Sequence, residues 1–149
     1  MSVETTKARL ITICESITGV LGASREPRNI AGAEMPWVVV LAGPAEYQSD
    51  SETITRELRE YNLYLIVQAW AQGPEYEAET LAEPFYDRFR TEFWNNSSLD
   101  TGNNDPLTGV QWSQLVRDSG VTDIVLAGVT YSGVVFTLQV LEMFNVCKR

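Results

Sequence analysis

Histidine is absent from the 149 residues. That absence removes the commonest general base, the commonest transition-metal ligand and every Ser-His or Cys-His nucleophile pair. Cysteine is almost as scarce. Cys14 and Cys147 are the only two, too few for a disulfide scaffold, and both read as free thiols. Cations are outnumbered as well, 11 Lys and Arg against 20 Asp and Glu, for a formal net charge of -9. With no basic cluster in the chain, phosphate backbones are repelled and tight nucleic-acid binding is not expected. No apolar run approaches the roughly 18 residues a membrane-spanning helix requires. The start, Met1-Ser2-Val3-Glu4-Thr5-Thr6-Lys7, lacks the basic, apolar and small-residue order of a secretory signal, so the chain is expected to stay where it is made. Glycine-rich phosphate loops, internal repeats and low-complexity stretches are also missing.

What is present suits one folded domain spanning 1–149. Hydrophobic residues make up 44% and charged residues 21%, enough apolar material for a core and far from the profile of disorder. Residues 3 to about 21 place Val3, Leu10, Ile13, Cys14, Ile17 and Leu21 near helical spacing, with Gly19 and Gly22 as the stop. An aperiodic connection from Ser24 to Pro36 leads into a strand, Trp37 to Leu41, ended by Gly43-Pro44. A polar arm follows, then the clearest strand, Arg56 to Ala71, with Tyr61, Leu63, Leu65, Val67 and Ala69 on one face. A second helix opens on Glu75, Glu77 and Glu79, where a helix N-terminus favours negative charge. It carries Ala78, Leu81, Phe85, Phe89 and Phe93 as its apolar stripe, and Pro84 predicts a kink or a fresh start. A long polar loop from Asn95 to Thr108 precedes a short strand over 110–116. Two further strands, Thr122 to about Ala127 and Val134 to about Phe144, are joined around Gly128–Gly133 as a hairpin.

These elements predict an α+β fold in two layers: an antiparallel sheet of about four main strands with two helices on one face, in the order α-β-β-α-β-β. Two helices cover only one side of such a sheet. The opposite side would carry Tyr64, Ile66 and Trp70 from the central strand and Val135, Thr137 and Leu141 from the last one. A bare face with this much large apolar area commonly marks an interface, so these six residues are the candidate contact with another subunit or partner.

The order of elements, together with Arg59-Glu60-Tyr61-Asn62-Leu63-Tyr64-Leu65-Ile66-Val67 and the run Ala127-Gly128-Val129-Thr130-Tyr131-Ser132-Gly133-Val134-Val135-Phe136-Thr137-Leu138-Gln139-Val140, resembles the tail terminator proteins of long-tailed bacteriophages. The resemblance covers most of the chain: an early helix, a strand pair with a polar loop, an acidic helix and a closing hairpin. It implies a structural virion protein without cofactor or enzymatic activity, assembled in the host cytoplasm and resident in the tail-neck region. As a homo-oligomeric ring of six, it would cap the tail tube protein, end tube polymerisation and offer a joint to the head-tail connector. DNA would pass through the ring without specific binding. Other neck and head-tail joining proteins share this outline.

A small-ligand or acid-base enzyme domain is the reading from a different class. Its support is the carboxylate density of Glu75, Glu77, Glu79, Glu83 and Asp87, which a solvated helix face explains more simply. The four tryptophans, Trp37, Trp70, Trp94 and Trp112, are scattered without interleaved cations, and packing in a core or interface accounts for them better than base stacking.

Overall fold

The computed structural model describes residues 3–49, 53–69, 75–100 and 106–145. The first helix, α1 (Val3–Ser16), buries Leu10, Ile13 and Cys14 on one stripe. It stops earlier than its apolar spacing suggests, because Ser16 Oγ turns back onto the Ile13 carbonyl at 2.6 Å. Two tight turns follow, Ile17 N–H to Cys14 O and Val20 N–H to Ile17 O. Gly19 at φ 95° takes the left-handed position that favours glycine at a helix end.

Five strands, not four, follow among the described residues. The strand β1 (Gly22–Ser24) is only three residues long, and β2 (Trp37–Ser49) and β3 (Ile54–Ala69) form a long antiparallel hairpin. The second helix is α2 (Glu75–Asn95), and β4 (Val110–Leu126) and β5 (Val129–Asn145) form the second hairpin. The sheet runs β1-β2-β3-β5-β4. It is mixed, because β1 lies parallel to β2 over Gly22–Ser24 against Trp37–Val39. The expected α-β-β-α-β-β order therefore gains a strand. So short a piece carries no alternation for the sequence to display, and Gly22 read as a helix stop is in fact buried against Trp37, whose ring an added Cβ would meet at 2.3 Å.

Three expected boundaries also move, each for a local reason. Gly43-Pro44 does not end β2; the register slips between Ala42 and Ala45, and the strand continues past a bulge at the sheet edge, where a missing N–H costs no ladder bond. The stretches 110–116 and 122–127 are one strand, interrupted by irregularities between Val110 and Trp112, Leu115 and Arg117, and Asp118 and Val121. The turn to β5 is just Ala127-Gly128, both at positive φ (51° and 78°), the two-residue hairpin conformation that matches strand twist. Gly133 thus sits inside β5, where a Cβ would come within 1.9 Å of the Leu65 carbonyl oxygen.

Both helices cover one face of the sheet, as expected. Their core joins Leu10, Ile13, Cys14 and Ile17 to Phe85, Phe89 and Phe93 across Val38, Leu63, Leu65, Phe136 and Leu138. Phe89 stacks on Phe136 at 4.3 Å between ring centroids. The α2 stripe uses Ala82 rather than Leu81, which is 44% exposed, and α2 continues through Pro84, whose ring is on the exposed side. The long polar connection after α2 is anchored at both ends. Leu99 and Leu107 are buried, Leu107 N–H bonds to Ser98 O at 3.0 Å, and Arg9 reaches the Leu99 carbonyl at 3.0 Å.

Candidate subunit interface

The face opposite the helices is only half bare. The connection between β1 and β2 folds back across its upper part and places Ile30 and Met35 on a second cluster with Val39, Ile66, Ile124, Leu126 and Tyr131. Polar contacts hold this strap down. The Ile30 N–H donates to Tyr131 Oη at 3.0 Å, Arg28 lies 4.1 Å over the Trp37 ring, and Glu34 accepts from both Arg28 and the Ala31 N–H. The Arg28 guanidinium beside Glu34 holds that carboxyl below its usual range.

The six residues expected to form a bare contact are accordingly divided. Ile66 is fully buried under the strap, which corrects its reading as an exposed contact residue. Tyr64 and Val135 face each other across the β3–β5 ladder and pack half-buried against the same cluster. Thr137 is buried at 4% exposure and donates to Asn62 Oδ1 at 3.1 Å, so it serves the sheet's own cohesion. Leu141 is half-buried on the uncovered lower part, in register with Leu58 on one side and Trp112 on the other. Trp70 lies outside the described residues. Leu141 sits six residues along β5 from Val135, about 20 Å at strand rise, so these residues do not make one patch.

Two features went unnoticed in the sequence. The first is a groove of about 680 Å³ between α2 and the outer edge of β4. Tyr86, Arg90, Phe93 and Trp94 line it from α2, Ser113 and Leu115 from β4 and Phe136 from β5, while Trp112 and Arg117 pair with Leu141 and Thr137 and so turn their side chains to the other face at its rim. Trp94 is 81% exposed, and both arginines have acidic neighbours, Asp87 and Glu60. The second is a buried polar knot at the N-terminal end of α1. Thr6 Oγ1 donates to Glu142 Oε1 at 2.6 Å, and Glu57 pairs with Arg59 at 2.7 Å. Burial pushes the Glu142 carboxyl up, and the neighbouring Glu57 charge adds to it. The Tyr61 phenol is likewise pushed up, first by burial and then by Glu142, and its oxygen has no hydrogen-bond partner among the described residues. A single Thr, Glu or Tyr at an inward strand position carries no sequence signal for such a knot.

The acids weighed for enzymatic work are spread out. Glu77, Glu79, Glu83 and Asp87 are exposed along α2, with Asp87 paired to Arg90; the Glu75 side chain lies outside the described residues. No helix among the described residues is long and apolar enough to cross a membrane. No protein-family model matches the chain, and no curated protein does either.

Proposed function

We propose that the protein is a structural subunit that assembles with its own copies into a ring, and that this ring caps a bacteriophage tail tube and joins it to the head connector. The observation that carries the assembly reading is the pair of open sheet edges. Beyond Val39 no described strand lies outside β2, and none lies outside β4. Long uncovered edges are templates for pairing, and here the Gly43-Pro44 bulge and the irregularities of β4 confine that pairing to the stretches between them. A head-to-tail contact between two different edges of the same subunit repeats from copy to copy and closes into a ring when its rotation permits. The net charge of -9 suits a lumen past which DNA slides, since a wall that neutralises no phosphates gains nothing from counterion release. The tail assignment itself rests on the resemblance of the two strand runs and the order of elements.

Native mass measurement and a tail-tube capping assay test both parts. A discrete multiple of 16.7 kDa that stops tube growth supports the reading. A monomer at micromolar concentration that leaves tube length unchanged overturns it, and a ring that ignores tubes moves the protein elsewhere in the neck.

A further inference from the structure

We infer that the open lower edge of β2, Leu41–Ser49, docks along β4 of the next copy and fills the groove beside α2. This deepens the ring reading and rests on it. Three independent features of the sheet support the match.

The first is level. The ladders place Glu46 beside Leu58, Leu58 beside Leu141, and Leu141 beside Trp112. One row of the sheet therefore runs from the free edge of β2 to the free edge of β4. A second row runs Leu41, Asn62, Thr137, Arg117 by the same ladders. The stretch of β2 left open by β1 is level with β4 residues 112–117, the part of β4 that lines the groove.

The second is direction. From β2 to β3, β3 to β5 and β5 to β4, each neighbour is antiparallel. Three reversals leave β2 and β4 antiparallel to each other. Copies related by rotation about a ring axis keep a common orientation, so β4 of one copy meets β2 of the next in the antiparallel sense, which has the better hydrogen-bond geometry.

The third is chemistry. Residues 41–49 contain one charged side chain, Glu46, and no cation, and by the ladders Glu46 shares the face away from the helices with Arg117, which bonds Glu60 there. Along the strand, Tyr47 is 60% exposed and points to the helix side with its ladder neighbour Glu57. It supplies an aromatic side chain to the side of the groove that carries Trp94.

Disulfide trapping tests the pairing. Glu46→Cys and Trp112→Cys in one chain, in a Cys147→Ser background, place thiols on opposite edges of the same subunit. Three strand spacings separate them, about 14 Å, beyond the reach of a disulfide within one subunit. Any bridge between them must join two copies. Mild oxidation is expected to give a ladder of covalent oligomers ending at the ring's mass, with neither single variant cross-linking. Leu41→Cys with Arg117→Cys, on the other row, is expected to do the same and guards against misfolding of one pair. A ring by native mass that yields no ladder from either pair overturns the edge contact and leaves the ring reading standing. Dimers from Trp112→Cys alone show a two-fold β4–β4 pairing and overturn it as well. A monomeric parent protein removes the ring reading and this inference together.

Discussion

Ile66 shows how much one neighbour changes a residue's meaning. Its alternation with Leu65 and Val67 places it on the face away from the helices, and there the sequence suggested exposure. Ile30, a lone aliphatic residue in an aperiodic connection, covers it. Ile66→Lys is therefore expected to bury an uncompensated ammonium and abolish the folded state, seen as loss of near-ultraviolet circular dichroism and of cooperative melting. A folded Ile66→Lys variant would mean that the strap lifts. Glu142 makes a second case at this scale. Its carboxyl pKa is raised in the folded protein, so between the ordinary carboxylate value and the raised one the native state holds a proton that the unfolded chain has released. Stability contributed by this group consequently falls as pH rises through that window and is regained below it. Glu142→Gln keeps an acceptor for the Thr6 hydroxyl without the charge. Urea midpoints at a series of pH values should show Glu142→Gln more stable than the parent near neutrality, with the gap closing as pH falls toward 4. A gap that widens on acidification would refute the assignment.

At the scale of elements, the sequence was most legible where one periodicity ran unbroken. The helix stripe through Phe85, Phe89 and Phe93, the alternation of Tyr61, Leu63 and Leu65, and that of Val134, Phe136 and Leu138 all reach the core as read. Legibility failed wherever an element was shorter than its own period or interrupted by bulges. Gly22–Ser24 is too brief to alternate, and three irregularities divide β4 into what looked like two strands. Glycine misled in both directions, since Gly133 marks a close crossing within a strand and Gly128 marks the actual turn. That turn leaves Ala127, a residue with a Cβ, at φ 51°, a conformation that costs most L-residues about 1 kcal/mol or more and that Asn tolerates. Ala127→Asn should raise unfolding stability by about 0.5–1 kcal/mol, measured by denaturant titration, without altering oligomeric mass. A destabilised variant would show that the turn is not of the two-residue type. For the candidate interface, the sequence located an apolar face but not its cover, and it gave no sign of the groove beside β4, which depends on how α2 lies across the sheet.

For the molecule as a whole, charge sets the first expectation. With -9 formal charges and five arginines, Arg25, Arg28, Arg59, Arg90 and Arg117, already beside an acid, duplex DNA should bind no better than non-specifically at physiological salt. Fluorescence anisotropy with a labelled duplex checks this, and micromolar or tighter binding at that salt would contradict it. Shape sets the second. A subunit whose two edges match could add neighbours at several heights, and each height would build a different object. Level addition closes a flat circle, whereas the same contact slipped by a pair of residues climbs and produces a spiral with no last member. The smallest strand in the fold bears on that choice. Because β1 occupies the outer side of Trp37–Val39, a neighbour docked on β2 as proposed could land only below it. In the proposed ring, three residues that add little to the core would work as an end-stop, holding each added copy to one height on the edge.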